Sequence, residues 1–442
     1  MRGWDAARVA HEAGARLGEP ARPRAGGPPG PGRAVVDSRA AGPGDLFVGL
    51  RGERADGGRF APQAIADGAW GALVDPSAAD GAREAAVAAG AALLVADDPL
   101  GALQRLATAW RRELGCPVVG ITGSTGKTST KDILRGMLDP HLRVVATDQN
   151  LNTDIGLPLT ILGAPAGSEA LVLEMAMRGR RQIAELAAIA EPDVGVVVNV
   201  GPVHLELLGS LEAIAETKAE LIRDLPAHGT AIVPADEPLL ASHRRDDIRT
   251  VTFGPGGDVD ELPEGLDLPF GSAHMRRNAL AALAAARAIG VEPRGAVRVA
   301  LSRLRGERLA LAGGIVIVND CYNANPMSMR AALDDLAETA PARRVAVLGD
   351  MLELGASQLG HHEQLGRQAR AAGVGLLVTV GPLAAHAAEA FGSGSHAVPD
   401  AATAARLVDR LLEPRDTVLV KGSRGVGLEV VAEALLAARG EG

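Results

Sequence analysis

Short apolar runs alternate with longer amphipathic stretches along much of the chain. In the middle of the sequence the apolar runs include CPVVGITG, RVVAT, EALVLEM, VGVVVNVG and GTAIVPAD, and helical stretches such as RRQIAELAAIA and SLEAIAETKAELIRDL lie between them. Buried strands that alternate with helices are typical of a parallel, doubly wound sheet. The same rhythm returns in GIVIVND, RRVAVLGD, VGLLVTVG and DTVLVKGS, which predicts a second α/β unit.

The first hundred residues predict a smaller and less regular unit. The patterns indicate a helix in MRGWDAARVAHEAGARLG, a Pro/Gly loop over residues 20–33, short strands in RAVVDSR and GDLFVGL, and a helix followed by a strand in APQAIADGAWGALVD. A chain of 442 residues is too long for one core. We therefore expect an α/β protein of three domains: a small mixed α/β domain over residues 1–104, a central domain with a mostly parallel sheet over 105–310, and a C-terminal Rossmann-like α/β domain over 311–442.

Composition and charge exclude several classes of protein. Hydrophobic residues make up 47% of the chain but aromatic residues only 2%, so Ala, Val, Leu and Ile must build the core. A net charge of −9 argues against nonspecific binding of nucleic acid. The N-terminus lacks the apolar region of a signal peptide, and charges interrupt the Ala-rich stretch 79–97, so we expect no stable membrane insertion. Cys116 and Cys321 belong to no CxxC pair, which favours a reducing cytoplasm.

A glycine-rich loop follows the first apolar run of the central unit. GITGSTGKTST, residues 120–130, departs from the general pattern of Gly, four residues, then Gly-Lys-Ser/Thr. A buried strand precedes the loop, and a helix is predicted from Lys127 to about Leu138. This context of strand, loop and helix is still the one that binds phosphate, which makes the central domain P-loop-type. Gly123 and Gly126 allow backbone N–H groups to surround phosphates. Lys127 would then reach the β- and γ-phosphates, and the Thr128 hydroxyl would bind Mg²⁺.

Polar residues follow two further strands of the central unit. Glu174 ends the strand in EALVLEM, and His204 lies in the loop after VGVVVNVG. Ligands of open parallel sheets bind beyond the carboxyl ends of the strands, so both residues can share an edge with Lys127. Magnesium prefers oxygen ligands, so Glu174 fits its shell, whereas His204 would suit a second metal. An ordinary surface position is the alternative for each.

Other polar positions admit a structural and a functional interpretation. Lys218 lies on an amphipathic helix, where a lysine is ordinarily solvated. Asn278, near the start of HMRRNALAALAAARAIG, either contacts a base or caps the helix, and the pattern favours the cap. NDCYNANPMSM, VLGDMLELG and LVKGSRGVGLE follow strands of the last unit, so we expect Asp350, Lys421 and Arg424 to face one cleft.

Nine stretches occur along the chain in the order DSR…GDLFVGLRGE, GITGSTGKTSTK, NLNTDIGLPLT, LVLEM, HLELLGSLEAIAETKAEL, HMRRNALAA, NDCYNANPMSM, VLGDMLELG and LVKGSRG. Together they resemble the Mur ligases, ATP-dependent amide-forming enzymes of peptidoglycan synthesis. The resemblance covers nearly the whole chain. It also accounts for the unusual loop, because Mur ligases carry the variant GxTGSxGKT.

The resemblance implies a role for each domain. The first would bind a uridine nucleotide around Ser38 and Arg39, the central one ATP, and the C-terminal one an incoming dipeptide. The implied ATP contacts are Gly123, Ser124, Thr125, Gly126, Lys127, Thr128, Ser129, Asn278 at the adenine, Arg308 at the γ-phosphate and Asp320 at the ribose. The implied metal ligands are Thr128, Glu174, His204 and Lys218, with Lys218 as a carbamate in several relatives. Catalysis would involve Lys127, Lys218, His204 and Arg308, and further substrate contacts would be Asn152, Thr153, Asn323, Asn325 and Arg424.

Two positions depart from the family pattern. Gly58 stands where family members often have His, which bears on a contact of the first domain. Glu307 precedes Arg308 where a glycine is usual, so Arg305 is an alternative partner for the γ-phosphate.

Within the family, DCYNANP and GDMLELG resemble the member that joins D-alanyl-D-alanine to UDP-N-acetylmuramoyl-tripeptide. This implies ATP and Mg²⁺ as cofactors, an acyl-phosphate intermediate, a part in cell wall biogenesis, cell shape and cell division, and a cytoplasmic monomer with small-molecule partners. The third residue of the peptide, lysine or diaminopimelate, stays open. A sister ligase, diamino-acid-adding or folylpolyglutamate-synthesising, would share the ATP site but use another acceptor. A nucleotide-binding regulatory protein would not need a second metal site.

We expect Lys127→Ala to abolish turnover and leave the fold intact, because the transferring phosphate would lose its cation. Phosphate release measures the first part, and circular dichroism checks the second. Release at the wild-type rate would contradict the assignment of this loop.

Overall fold

The computed structural model describes residues 1–18, 29–52, 55–203 and 205–440, so most of the predicted Pro/Gly loop lies outside the described residues. Three large sheets follow one another along the described chain, here called the N-terminal, central and C-terminal sheets. The helices between and around their strands are α1 (Ala6–Ala13), α2 (Ala61–Ala66), α3 (Pro76–Ala89), α4 (Pro99–Leu114), α5 (Lys127–Leu138), α6 (Gly156–Gly163), α7 (Gln182–Ala190), α8 (Leu205–Leu208), α9 (Leu211–Arg223), α10 (Ala273–Ala288), α11 (Pro326–Thr339), α12 (Gln358–Ala371), α13 (Ala385–Phe391), α14 (Ala401–Leu411) and α15 (Glu429–Arg439). This architecture confirms the α/β prediction.

The N-terminal sheet is small and mixed. Its strands are β1 (Arg16–Leu17), β2 (Arg33–Val35), β3 (Asp45–Val48), β4 (Gly71–Val74) and β5 (Ala92–Val95). They lie in the order β1-β5-β4-β3-β2, with β1 antiparallel and the others parallel. The predicted strands RAVVDSR and GDLFVGL are β2 and β3. Leu46, Phe47 and Val48 are fully buried because helices cover both faces.

The central sheet is entirely parallel. Its strands are β6 (Val118–Thr122), β7 (Val144–Ala146), β8 (Ala170–Glu174), β9 (Val194–Val197), β10 (Thr230–Pro234) and β11 (Arg249–Phe253). Their order is β11-β10-β9-β6-β8-β7. Strand β6 lies between β8 and β9, so the loop after β6 faces the ends of both neighbours. A parallel two-stranded pair, β12 (Leu266–Asp267) and β13 (Gly295–Ala296), lies beside this unit.

The C-terminal sheet begins with a hairpin. Its strands are β14 (Glu307–Leu311), β15 (Ile315–Asn319), β16 (Arg344–Gly349), β17 (Val374–Val380), β18 (Ser395–Val398) and β19 (Thr417–Lys421). In the order β14-β15-β19-β16-β17-β18, β14 is antiparallel and the rest are parallel. The domain limit expected at residue 310 falls inside β14, because ERLAL pairs with β15 rather than ending the central unit.

The buried core is divided unequally. One apolar cluster runs from the N-terminal sheet through α4 into the central unit and includes Leu46, Leu106, Trp110, Leu171 and Ile214. The limit expected at residue 104 therefore falls inside α4, which packs on both units. The C-terminal sheet buries its two faces in separate clusters drawn from its own residues. The domain limits stay a prediction. Among the described residues, no helix combines the length and apolar character that crossing a membrane requires.

Two glycines of α12 provide a test of helix packing. A Cβ at Gly366 would lie 2.1 Å from the carbonyl oxygen of Ala387 in α13, whereas nothing lies within 4 Å of one at Gly360. Gly366→Ala should therefore lower the free energy of unfolding by about 1–3 kcal/mol through overpacking. Gly360→Ala, the control, should raise it by up to about 1 kcal/mol. Urea unfolding measures both, and equal effects would contradict this packing.

Candidate active site

A cleft of about 990 Å³ lies between the central and C-terminal units. Its central wall contains the loop after β6 and the first turns of α5 and α10. Its C-terminal wall contains β14, the loop after β15, and α11. Members of both walls include Ser124, Lys127, Asn278, Arg305, Asp320 and Lys421. Residues 124–129 of the predicted phosphate loop all line this cleft.

The loop after β6 has the geometry of an anion site. Gly126 has φ +76° and directly precedes α5, which starts at Lys127 as predicted. The Lys127 ammonium donates a hydrogen bond to the carbonyl of Gly123 (2.7 Å). A Cβ at Gly126 would lie 2.6 Å from Oδ1 of Asn278, so only glycine lets α10 approach this closely.

Asn278 is buried and is the sixth residue of α10. The interpretation of Asn278 as a helix cap is therefore wrong. The residue before α10 is Ser272, whose buried hydroxyl has no hydrogen-bond partner among the described residues. Ser272 lines the cleft, so an adenine nucleotide could satisfy this orphaned group.

Asn199 shapes the phosphate loop, a role that the sequence patterns did not indicate. Its side-chain oxygen accepts from the backbone N–H groups of Ser124 (3.1 Å) and Thr125 (2.9 Å). Its amide nitrogen donates to the carbonyl (3.1 Å) and hydroxyl (3.0 Å) of Thr125. The available signal was a single amide at the end of the apolar strand β9, on the edge where the loop lies.

A buried carboxylate lies beside the start of α5. Glu174 accepts hydrogen bonds from the Thr128 hydroxyl (2.8 Å) and from the Asn152 amide (2.8 Å). The predicted placement of Glu174 near the phosphate loop is thus confirmed. Among the described residues, no three His, Cys, Asp or Glu side chains group as a metal site. Thr128 and Glu174 still fit Mg²⁺, which commonly takes one or two protein oxygens and otherwise binds substrate phosphates and water.

Lys218 is fully buried, so the expectation of a solvated lysine is wrong. It lies four residues after Ile214 and three before Leu221, on the apolar face of α9. Burial, and secondly the charge of Lys127, hold the pKa of Lys218 well below its ordinary value. Its ammonium has no hydrogen-bond or ion-pair partner among the described residues. His204, the other predicted ligand of a second metal, lies outside the described residues.

The two candidate arginines differ in their surroundings. Arg308 donates to Asp335 (3.1 Å) and to Thr339 (2.8 Å), both on α11. Arg305 forms no such pair with any residue that the structure describes. The pKa of Lys127 is lowered by burial, raised by Glu174 and lowered again by the charge of Arg305, which therefore lies near the phosphate loop. Of the two arginines, Arg305 is therefore the one whose charge acts on the phosphate loop.

The residues of NDCYNANP lie on the opposite wall. Asp320 accepts a hydrogen bond from the buried ammonium of Lys421 (2.6 Å). Asn325 caps α11 by accepting the N–H of Ser328 (2.9 Å), so its side chain has a structural role, although it also lines the cleft. Asn323 also lines the cleft, and its side-chain oxygen accepts from its neighbour's N–H.

Other predicted substrate contacts lie away from the cleft. Arg39 pairs with Asp37 (2.7 Å) in the turn after β2, which also contains Ser38. Thr153 is exposed at the start of α6. Arg424 pairs with Glu429 (3.1 Å).

Two further positions differ from expectation. Asp350 does not face the cleft with Lys421, because its carboxylate accepts the N–H of Ala384 (2.6 Å). A Cβ at Gly58 would lie 2.6 Å from that of Ala78, so this backbone leaves no room for the histidine of relatives.

Comparison with known proteins agrees with this arrangement. The Mur ligase middle domain matches residues 121–274, the Mur ligase glutamate ligase domain matches 304–424, and the Mur ligase family catalytic domain matches 35–111. The UDP-N-acetylmuramoyl-tripeptide–D-alanyl-D-alanine ligase of Synechocystis is 38% identical over 420 residues, which cover 91% of each protein. The chain belongs to the Mur ligase family.

Solved Mur ligase structures share the whole architecture. MurF from Acinetobacter baumannii has a TM-score of 0.85 at 29% identity and covers 98% of this chain and 99% of its own. MurF from Thermotoga maritima, solved in complex with ADP, has a TM-score of 0.77 at 30% identity and covers 91% and 96%. Both agree with the three-domain fold expected from the sequence.

The burial of Lys218 leads to a prediction about the stability of this Mur ligase. Lys218→Met should raise the free energy of unfolding by about 1–4 kcal/mol near neutral pH, because an unpaired amine leaves the interior. A lysine whose folded pKa is lowered destabilises the fold below its unfolded pKa. The advantage of Lys218→Met should therefore shrink as pH rises from 7 toward 10.

Lys131 is the matched control for this experiment. It is equally buried but pairs with Asp132 (2.8 Å) and donates to the carbonyl of Thr147 (2.7 Å). Lys131→Met should destabilise the protein, by about 3–5 kcal/mol. Chemical unfolding in bicarbonate-free buffer measures both variants. Destabilisation by Lys218→Met at pH 7 would contradict an unpaired amine whose pKa burial has lowered.

Proposed function

We propose that this chain joins D-alanyl-D-alanine to UDP-N-acetylmuramoyl-tripeptide at the expense of ATP, through an acyl phosphate. The observation that carries the proposal is its similarity, along nearly the whole chain, to ligases of that name. The site supports it, because a phosphate loop and the residues of a second domain face each other across one cleft. Amide ligation needs this arrangement, since it activates a carboxylate at one wall and presents an amine from the other.

ATP would lie along the central wall of the cleft. Backbone N–H groups of residues 123–129 would surround its phosphates at the start of α5. Asn278 and Ser272 would contact the adenine end, and Asp320, oriented by Lys421, would accept a ribose hydroxyl. Related MurF from Thermotoga maritima binds ADP, which supports nucleotide use here.

Magnesium would be held by the hydroxyl of Thr128 and the carboxylate of Glu174. When bound, it would supply positive charge to the phosphate oxygens. Asn152 already fixes the second oxygen of Glu174, so the carboxylate needs little reorganisation. His204 and Lys218, the latter as a carbamate, would serve a second metal. The lowered pKa of Lys218 supports this role, because it favours the neutral amine, which is the form that adds carbon dioxide.

The chemical steps follow from these positions. The terminal carboxylate of the tripeptide attacks the γ-phosphate of ATP, ADP leaves, and an acyl phosphate forms. Lys127 and Arg305 neutralise the charge that spreads over the transferring group. The amine of the dipeptide then attacks the acyl phosphate, and phosphate leaves. Water would destroy that intermediate, so apposition of the C-terminal unit protects it as well as presenting the amine.

The ends of the substrates would extend beyond the cleft. Ser38 and Arg39 would bind the uridine nucleotide, and Asn152 with Thr153 would guide the peptide toward Glu174. Asn323, Asn325 and Arg424 would contact the dipeptide. We place the reaction in the cytoplasm, where ATP is available. Cys116 and Cys321 are consistent with this location, since both are buried, unpaired thiols.

Two other functions make different predictions about the acceptor. A sister ligase would use the same ATP site with another amine, and a regulatory protein would ignore peptide acceptors. Phosphate release from ATP, with UDP-N-acetylmuramoyl-tripeptide and with or without D-alanyl-D-alanine, distinguishes them. We expect release that requires both substrates and a product with the mass of the pentapeptide. Tripeptides ending in lysine and in diaminopimelate should both be assayed.

Each alternative outcome would overturn the proposal in its own way. Phosphate release that depends on another amino acid would identify the chain as a sister ligase. Release that ignores every acceptor would favour the regulatory protein.

A further inference from the structure

The guanidinium of Arg305, a residue of the cleft wall, lies over an aromatic ring. Its central carbon is 4.0 Å from the ring centroid of Tyr322, well within cation–π range. Tyr322 is the only tyrosine of the chain, and it is half-buried directly after β15. No carboxylate among the described residues pairs with Arg305. The ring is therefore the contact that fixes where this cation points.

The backbone joins the two residues into one unit. The N–H of Tyr322 donates to the carbonyl of Leu304 (3.2 Å), and the N–H of Gly306 donates to that of Asn319 (3.1 Å). These bonds flank Arg305 on both sides. Leu304 has φ +61°, a backbone conformation that leucine rarely adopts and that the surrounding bonds must enforce. Arg305 thus belongs structurally to the C-terminal sheet. It nevertheless lines the same cleft as Lys127 of the central unit, and its charge lowers the pKa of Lys127.

An aromatic ring and a carboxylate would orient an arginine with different consequences. A carboxylate cancels the charge that it binds, as Asp335 does for Arg308. A ring attracts the cation through its quadrupole but leaves the full positive charge available to a phosphate. We propose that Tyr322 is a positioning residue, whose ring holds the Arg305 guanidinium toward the phosphate loop without neutralising it. This inference rests on the proposed function, because Arg305 would act on the transferring phosphate.

The contact itself can be tested without turnover. Incorporation of 3-fluorotyrosine gives a single fluorine resonance, since the chain has one tyrosine. Arg305→Ala should shift that resonance. Arg303→Ala, two residues away on an exposed side chain, should not. An unshifted resonance in Arg305→Ala would overturn the contact, whether or not the ligase reaction is the correct one.

Kinetics test whether the contact matters for the reaction. Tyr322→Leu should reduce kcat about tenfold, with little change in KM for ATP. The reason is that Arg305 remains present but its guanidinium is no longer held in position. Tyr322→Phe keeps the ring and should recover most of the loss. In an Arg305→Ala background, Tyr322→Leu should cost nothing further. Equal losses of kcat in Tyr322→Phe and Tyr322→Leu would show that Tyr322 does not act through Arg305. The same conclusion would follow if Tyr322→Leu lowered kcat about tenfold further in the Arg305→Ala variant.

Discussion

Unbalanced positive charge around Lys127 is the constraint on which the site depends. The charge of Arg305 lowers the pKa of Lys127, and the charge of Lys127 lowers that of Lys218. Glu174 supplies the opposing carboxylate. Burial makes this imbalance costly, because charges without partners interact strongly in a medium of low polarity. An anionic ligand removes the cost. The triphosphate of ATP and the terminal carboxylate of the tripeptide would bring this negative charge.

The division of the core is consistent with a site whose two walls belong to different units. The N-terminal and central units share one apolar cluster through α4, whereas the C-terminal sheet has cores of its own. A unit with its own core can change its distance from the phosphate loop without loss of internal packing. Its contacts across the cleft are correspondingly small. The Thr125 hydroxyl donates to the sulfur of Met327 (3.2 Å), and a Cβ at Gly201 would lie 2.3 Å from the methyl carbon of Met327. Met327 thus lies directly against the backbone of the central unit.

Sequence patterns predicted the framework of the site well and its details unevenly. Helix α5 begins at Lys127 as expected, because a buried strand and a glycine at positive φ leave the chain one way to start a helix. Glu174 was found because strand ends are recognisable and share an edge. The charge of Lys218 suggested a solvated side chain, but its burial could have been predicted. Its spacing from Ile214 and Leu221 places it on the buried face of α9. Asn199 and the choice between Arg305 and Arg308 depend on contacts between distant segments, which no local pattern encodes.

Pairing separates the structural cations from those that we assign to chemistry. Lys131 pairs with Asp132, Lys421 with Asp320 and Arg308 with Asp335. Each of these three is satisfied within the described protein, so its removal would leave a carboxylate without its partner. Lys127, Lys218 and Arg305 have no comparable ion pair among the described residues. The negative charge that would balance them is that of a bound ligand. Residue type alone does not distinguish the two groups, since each contains two lysines and an arginine. The distinction arises from which cations the fold has already neutralised, and a protein that transfers a phosphoryl group must keep some of them free.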